Sequence, residues 1–270
     1  MKTLVITTEK GGVGKTTLSV QLAFYLALRL SRRVLVLDLD VQNNASRTIT
    51  MNGKAATASF STYDIFTAAV TPLPQSPFVL VPEGDRQTLT LEGKSEDEQG
   101  QCSDRLFEFL RAVENDFDVC IMDTGPRPDF PHYIAMMHAQ YFLTPLQLSQ
   151  HALDGVGEVL YSAPYGYQAI KKHVNPALQF LGILPVLFEA KRVQKGMLAF
   201  VEQDAKTSPL LLRHEDNTVA RIPRVQAMEE AQNNGIFIGD MRSSPGREAW
   251  TQVKPVFDLI LRSMAVSTTQ

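Results

Sequence analysis

Cysteine, long apolar runs and targeting segments are scarce in this sequence, and each scarcity excludes a class of protein. Cys102 and Cys120 are the only cysteines, too few for a disulfide framework or a four-cysteine zinc site. No apolar run approaches the roughly 18 residues of a membrane span. The apolar start soon meets Glu9 and Lys10, unlike a signal peptide. With 44% hydrophobic and 20% charged residues, the sequence predicts a globular protein of the reduced cytoplasm with a substantial core.

Two kinds of enzyme chemistry also lack their sequence patterns. The five histidines are scattered, without the spacing of metal ligands. No G-x-S-x-G motif or Cys-His arrangement supports covalent catalysis. We therefore expect neither a histidine-ligated metal centre nor a nucleophilic hydrolase.

Short β-like runs alternate with longer helical ones, which is the pattern of a parallel sheet covered by helices. Leucines at positions 18, 22, 26 and 30 predict a helix over residues 15–30 that packs on the sheet. The segments 71–77 and 93–100 are predicted as loops because the first is rich in proline and the second is polar. Strands are predicted at 3–8, 34–39, 78–81, 118–122, 141–144 and 180–188, and further helices near 103–115, 151–171, 193–206, 225–234 and 247–264.

These elements predict an α/β fold in which a mostly parallel sheet is flanked by helices. We find no internal repeat and no linker that would divide the chain. We therefore expect a single domain over residues 1–270, with a variable insertion near residues 52–100.

The segment EKGGVGKTT at residues 9–17 follows a strand and opens a helix, which is the setting of a phosphate-binding loop. Its glycines let backbone amides approach phosphate oxygens closely, and the helix N-terminus adds partial positive charge. Lys15 is predicted to contact the β- and γ-phosphates, and the Thr16 hydroxyl to bind Mg²⁺. The predicted ATP contacts in this loop are Gly11, Gly12, Val13, Gly14, Lys15, Thr16 and Thr17.

Aspartates stand at the ends of two more predicted strands. Asp38 and Asp40 end the strand in VLVLDLDVQNNAS, and Asp123 ends the apolar strand in DVCIMDTGP. Open parallel sheets bind ligands at the edge formed by the carboxyl ends of their strands. An apolar strand that ends in aspartate is the Walker B arrangement, whose carboxylate meets Mg²⁺ through water.

Together these segments resemble the ParA/MinD family of ATPases, which carry a deviant Walker A motif. KGGVGKTT has the extra lysine of that motif, Lys10, and residues 34–46 resemble the family's switch segment, D-x-D-P-Q-x-N, with Val41 in place of proline. ARIPRVQAMEEA at residues 220–231 is similar to the family's I-P-R stretch near the nucleotide base. The resemblance covers almost the whole chain outside residues 52–100 and implies a P-loop NTPase fold of the deviant Walker A type.

The resemblance also implies roles for single residues. Lys10 would also be an ATP contact, since it would cross a dimer interface to the nucleotide held by the partner subunit. Asp40 would position the attacking water, and Pro223 is the candidate adenine contact. The implied catalytic set is Lys10, Lys15 and Asp40, and the implied Mg²⁺ set is Thr16 directly with Asp38 and Asp123 through water.

Within the family, the DNA-partitioning branch matches best. The C-terminal tail, residues 256–270, has Arg262 as its one basic residue, which argues against the basic amphipathic helix of membrane-attached members. The chain begins at its first strand, so it resembles the short partition ATPases without an operator-binding extension. We therefore expect a cytoplasmic, nucleoid-associated ATPase that dimerises with ATP and Mg²⁺, binds DNA non-specifically and is stimulated by a ParB-like centromere-binding protein.

The charge distribution predicts where DNA would bind. The net charge of −3 combines an acidic excess in residues 1–170 with a basic excess of three in residues 171–270, which favours the C-terminal third as a polyanion contact. The candidate DNA contacts are Lys191, Arg192, Lys195, Arg221, Arg224, Arg242 and Arg247. Two alternatives stay open: a related ATPase that positions a protein cargo such as a secretion, pilus or conjugation complex, and an ATP-dependent small-molecule ligase.

Overall fold

The computed structural model of this chain describes residues 1–8, 10–149, 157, 160–161 and 166–269. It contains a seven-stranded sheet in which all described neighbours pair in parallel. The strands are β1 (Lys2–Ile6), β2 (Val34–Asp38), β3 (Ala56–Thr57), β4 (Phe78–Val81), β5 (Val119–Asp123), β6 (Tyr141–Gln147) and β7 (Gln179–Val186). They are ordered β3-β4-β2-β5-β1-β6-β7 across the sheet, so the predicted α/β class is confirmed.

Helices cover both faces of this sheet. They are α1 (Lys15–Phe24), α2 (Asn44–Asn52), α3 (Thr62–Thr67), α4 (Glu96–Ala112), α5 (Phe130–His138), α6 (Tyr167–His173), α7 (Arg192–Gln203), α8 (Gln226–Asn233) and α9 (Ser244–Ser263). Because strand side chains alternate, Val34 and Val36 join the core under α1, α2, α8 and α9, whereas Leu35 and Leu37 join the core under α3 to α7. β2, β4 and β5 are buried along their whole length, as parallel strands covered on both faces must be.

The helix predicted at residues 15–30 forms, with a change of geometry near its end. Leu18, Leu22, Leu26 and Leu30 are all buried against the sheet. The α-helix ends at Phe24 and the chain continues as a π-helical turn, Tyr25–Arg29. The leucine periodicity therefore predicted which face of the helix is buried, but it did not predict the π-helical turn at its end.

The loop predicted at residues 93–100 is wrong from residue 96 onward. α4 begins at Glu96 because Ser95 and Glu98 form a reciprocal capping box: the Ser95 side chain accepts a hydrogen bond from the Glu98 amide, and the Glu98 carboxylate accepts one from the Ser95 amide at 2.9 Å. Three acidic residues in the first turn also favour a helix start, since the helix dipole is positive there. The segment is polar because the capping residues and the acidic first turn of a helix are polar, and this composition was mistaken for that of a loop.

Other helix predictions had mixed outcomes. The helix predicted at 151–171 lies mostly outside the described residues, and α6 covers its last part. Three helices that the sequence pattern did not indicate are present: α2, α3 and α5. Across the described ranges, we find no helix whose length and apolar character would suit it to span a membrane.

The sheet order brings three strand ends together. β5 lies between β1 and β2, and in its register Asp123 is the partner of Ile6 on one side and of Asp38 on the other. The loop after β1, the segment after β2 and the loop after β5 therefore meet at one edge of the sheet. That edge is where ligands bind in open parallel sheets.

Candidate functional site

The loop between β1 and α1 has the backbone of a phosphate cradle. Gly12 and Gly14 have φ angles of +73° and +82°, a left-handed conformation that other residues adopt only with strain. Gly14 directly precedes α1, whose first amides lack partners within the helix. A cavity of about 450 Å³ lies against this loop. Its lining includes residues 11–17 together with Asp40, Gln42, Asn44, Pro126, Leu187, Arg224 and Glu229.

The Lys15 ammonium is held inside the loop. The residue is 6% exposed, and its Nζ donates to the backbone carbonyls of Thr8 at 3.1 Å and Lys10 at 3.0 Å. Burial lowers the pKa of Lys15, while the nearby carboxylates of Asp123 and Asp40 oppose that change. A buried cation that donates to neutral carbonyls, as Lys15 does among the described residues, is suited to bind an anionic phosphate.

Asp123 is tied to the first turns of α1. Its carboxylate accepts hydrogen bonds from Thr16 Oγ1 at 2.9 Å and from Ser19 Oγ at 2.7 Å. Thr16 and Ser19 are three residues apart, so they lie on the same face of the helix. The end of β5 and the phosphate loop are thereby fixed to each other.

Asp38 is held by the start of α2. One carboxylate oxygen accepts from the Ser46 amide at 2.8 Å and the Ser46 hydroxyl at 2.7 Å. The other oxygen accepts from the Asp40 amide at 3.2 Å. These bonds set the path of the chain between β2 and α2.

Asp38 and Asp123 form a buried acidic pair that fits a divalent cation. Both are fully buried, and burial is the main reason that the pKa of each carboxyl is raised. Repulsion from the neighbouring carboxylate raises the pKa of Asp38 further. A bound cation would relieve both effects. The ligand atoms that the two aspartates offer are oxygens, which Mg²⁺ prefers. Mg²⁺ usually binds one or two protein carboxylates and completes its coordination with water and phosphate oxygens.

Over the part of the chain that the structure describes, there is no group of three or more His, Cys, Asp or Glu side chains placed to hold a metal ion. Thr16, Asp38 and Asp123 carry oxygen atoms of the kind that Mg²⁺ binds together with phosphate oxygens and water.

Asp40 lies where the segments after β2 and β5 touch. It is 6% exposed, and its carboxylate accepts from the Gln42 amide at 3.0 Å. A Cβ atom built on Gly125 would lie 3.3 Å from Asp40 Oδ1, so the glycine permits this close approach. A carboxylate on the cavity wall can accept a hydrogen bond from a water molecule there.

Lys10 is separate from this group. Its Nζ donates to Ser149 Oγ at 3.2 Å, just beyond the end of β6. The cavity lining includes the rest of the predicted loop contacts, from Gly11 to Thr17, but not Lys10.

Pro223 does lie beside the phosphate loop. It lines a small apolar slot of about 60 Å³ next to Val13 and Gly14. Leu187, on the same slot, has a φ of +51°, which is strained for a large side chain and often marks a functional position. Sequence reasoning missed Leu187 because nothing in its identity signals that conformation.

The seven candidate DNA contacts are all exposed. Three of them line a second groove of about 850 Å³: Lys191, Arg221 and Arg224. The other four lie outside that lining: Arg192 and Lys195 on α7, and Arg242 and Arg247 at the start of α9. Arg224 lines both this groove and the phosphate-loop cavity.

Supporting residues of the site escaped the sequence analysis. Ser19 is four residues after Lys15 on α1, a spacing that would have placed it near the phosphate loop. His132 and Thr7 are 125 positions apart, yet Thr7 Oγ1 lies 2.9 Å from His132 Nδ1 in the interior. No sequence signal links that pair.

A phosphate loop and strand-end carboxylates at one edge of a parallel sheet define a P-loop nucleotide-binding protein. Comparison with known proteins narrows this class, since residues 1–180 match the family model AAA_31, described as an AAA domain. The chain is 30% identical over 248 residues to the sporulation initiation inhibitor protein Soj of Bacillus subtilis, covering 90% of this chain and 92% of Soj. It is 28% identical over 284 residues to protein IncC of Escherichia coli, covering 99% of this chain and 71% of IncC.

Solved structures agree on the fold. The structure of apo McdA from Cyanothece superposes with a TM-score of 0.73 at 22% identity, covering 98% of this chain and 99% of that one. The chain belongs to the ParA/Soj-type partition ATPases of the deviant Walker A family. The resemblance read from its motifs is thereby confirmed.

Proposed function

We propose that this chain is a Mg²⁺-dependent ATPase of DNA partitioning that works in the cytoplasm on the nucleoid, with residues 1–270 acting as a single ATPase domain. In the ATP state it forms a dimer that binds DNA without sequence preference, and a ParB-like centromere-binding protein stimulates hydrolysis. The observation that supports this most strongly is the convergence of Lys15, Asp40 and Asp123 at one sheet edge.

Each residue of the site has a role in this proposal. Lys15 neutralises the β- and γ-phosphates, with the loop amides of residues 11–17 around them. Asp40 accepts a hydrogen bond from the attacking water and thereby orients it. Pro223 and the apolar slot receive the adenine. Thr16, Asp38 and Asp123 hold Mg²⁺, which when bound offsets the charge that develops on the phosphate oxygens.

Lys10 acts only in the dimer. In the single chain its ammonium is 3.2 Å from Ser149 Oγ. A hydrogen bond to a neutral hydroxyl is easily exchanged for one to a phosphate oxygen, because hydrogen bonds between charged groups are stronger. The γ-phosphate held by the partner subunit would therefore draw Lys10 across the interface.

Measuring ATP binding and single-turnover hydrolysis separately tests the active site. Lys15→Ala should weaken ATP binding at least tenfold because the buried cation is lost. Asp40→Ala should bind ATP as the parent does and hydrolyse it about 100-fold more slowly. Asp116→Ala, an exposed carboxylate just before β5 at the opposite sheet edge, is the matched control and should change neither quantity. Hydrolysis by Asp40→Ala at the parent rate would remove Asp40 from the mechanism.

One observation favours the alternative of a protein cargo. α7 exposes Val193 (76%) and Phe200 (60%), which are seven residues apart and so share one helix face. Exposed apolar side chains of this size serve a protein contact better than a phosphate contact. Binding of unrelated DNA duplexes at low salt decides between the functions: absence of binding in the ATP, ADP and nucleotide-free states would favour protein cargo.

A further inference from the structure

The second groove, which we term the basic groove, is bounded by residues 188–191, the segment 214–224 and part of α9. Its three cationic side chains are Lys191, Arg221 and Arg224, and its volume is about 850 Å³. Among the described cavities it is distinct from the phosphate-loop cavity, although Arg224 lines both. The groove is therefore a concave, positively charged surface next to the nucleotide site.

The floor of the basic groove is fixed by backbone bonds. The Phe188 amide donates to the Ile222 carbonyl at 3.0 Å, and the Arg224 amide donates to the Phe188 carbonyl at 2.9 Å. The Arg221 guanidinium lies 5.1 Å from the centroid of the Phe188 ring, a cation–π contact. Arg221 and Arg224 are thus presented from a rigid base rather than from a free loop.

One carboxylate faces these cations. Glu189 forms ion pairs with Lys191 and with Arg224, the latter at 3.4 Å. The hydrogen bond from Lys191 lowers the pKa of Glu189, so the side chain is ionised at neutral pH. Glu189 is 24% exposed, so the charge is accessible to solvent and to a ligand.

We propose, resting on the proposed DNA-binding function, that the DNA backbone occupies the basic groove and that Glu189 is an internal competitor whose carboxylate a DNA phosphate must displace from Lys191 and Arg224.

The position of the carboxylate supports competition. A DNA phosphate and a carboxylate are both anionic oxygen acceptors, and they bind arginine and lysine through the same charge-assisted bonds. Exposed ion pairs contribute little to folding, so this pair is available for exchange. Glu189 therefore lowers the affinity of a single groove for DNA, and a dimer with two grooves compensates for this loss.

The test is the affinity of the full-length chain for an arbitrary DNA duplex, measured by fluorescence anisotropy over a range of salt concentrations. Glu189→Gln should bind about fivefold more tightly than the parent at low salt. Its plot of log affinity against log salt should be steeper by about 0.9 for each extra phosphate bound per groove. Glu108→Gln on α4, which removes the same charge away from the groove, is the control and should match the parent.

A double-mutant comparison separates competition from a general charge effect. Lys191→Met removes one partner of Glu189, so the gain from Glu189→Gln should shrink in that background. Arg221→Met removes a cation that contacts Phe188 rather than Glu189, so the gain should persist there.

The outcomes distinguish this inference from the function on which it rests. If the parent binds DNA and Glu189→Gln binds equally, or if Glu108→Gln gains as much, the competitor role is wrong and the partition function stands. If neither the parent nor Glu189→Gln binds DNA in any nucleotide state, both fail. A cooperative thermal unfolding transition, recorded for each variant, checks that the variant is folded under the conditions of the binding measurement.

Discussion

At the residue scale, this protein places several ionisable side chains in its interior. Lys15, Asp38 and Asp123 are balanced by one another and by hydroxyl donors at the phosphate loop. His132 is a different case, because its buried imidazole is hydrogen-bonded only to the Thr7 hydroxyl in the described structure. Buried ionisable residues of this kind make the stability of the fold depend on pH.

His132 should make the protein less stable in mild acid. Burial lowers the pKa of His132 to about 4, whereas the unfolded chain has the ordinary value of 6.5. Between those values the unfolded state binds the extra proton, so the stability contribution is present above pH 6.5 and is lost as pH falls toward 4. His132→Gln should lose about 2 kcal/mol less unfolding free energy than the parent between pH 7.5 and pH 5, measured by urea denaturation.

Comparing the parent with His132→Gln isolates the contribution of the His132 imidazole to the pH dependence of stability. Burial raises the pKa of Asp129 to about 6, so that carboxyl acts in the opposite direction in both proteins. Equal pH dependence of parent and His132→Gln would contradict a buried neutral histidine.

Ser46 should be a stabilising residue at the same scale. Ser46→Ala removes the hydroxyl donor, at 2.7 Å, from the fully buried Asp38 carboxylate. Leaving a buried acceptor short of one partner costs about 1–3 kcal/mol, which urea denaturation would measure. Ser59→Ala removes an exposed hydroxyl that contacts Thr71 and is the control. If Ser46→Ala loses no more unfolding free energy than Ser59→Ala, the hydrogen bond from the Ser46 backbone amide is enough to satisfy Asp38.

At the scale of elements, the short segment that directly precedes α8 serves two surfaces. Residues 222–224 pair with Phe188 and thereby form a wall between the phosphate-loop cavity and the basic groove. Pro223 lines the apolar slot and the basic groove, and Arg224 lines the groove and the phosphate-loop cavity. A substitution in this segment can therefore affect both the nucleotide site and the basic groove.

Arg221 and Arg224 should differ in their effects for this reason. Arg224→Ala should weaken both ATP binding and DNA binding several-fold, because its side chain lines both cavities. Arg221→Ala should weaken DNA binding alone, since it lines only the basic groove. Isothermal titration with ATP and anisotropy with a duplex check the two effects. Equal loss of ATP affinity in both variants would show that the wall does not divide the surfaces as proposed.

At the scale of the whole molecule, the proposed switch depends on a second subunit. The chain carries a net charge of −3. Among the described residues, the basic groove of one subunit is lined by the three cations Lys191, Arg221 and Arg224, and Glu189 pairs with two of them. Tight, salt-sensitive binding to DNA requires many phosphate contacts. Two grooves brought together by ATP would double that number.

Dimerisation should therefore require ATP and Lys10. Asp40→Ala, which should turn over the nucleotide about 100-fold more slowly, should sediment as a dimer in saturating ATP and as a monomer in ADP, because ADP has no γ-phosphate for Lys10 to bind. Adding Lys10→Ala to that protein should return it to the monomer while leaving ATP binding within about threefold. Sedimentation velocity measures the state, and an Asp40→Ala protein that stays monomeric in ATP would contradict the interface role of Lys10.

The sequence by itself determined the elements whose side chains repeat or whose chemistry is local. Alternation of apolar strands with leucine-periodic helices predicted the parallel sheet, because both faces of each strand must be buried. The glycines and Lys15 predicted the phosphate loop, since glycines let backbone amides approach phosphate closely and the lysine supplies the charge that binds it. Each of these inferences depends on residues close together in the chain.

Only the tertiary structure decided what depends on distant residues. The pairing of Asp38 with Asp123 follows from the strand order, which places β5 beside β2 although 80 residues separate them in sequence. The hydrogen bond between Thr7 and His132 and the ion pair of Glu189 with Arg224 likewise join separate segments. The strained backbone of Leu187 is also visible only in the folded chain. Local patterns record the geometry of single elements, whereas the packing of the whole chain selects which of their side chains meet.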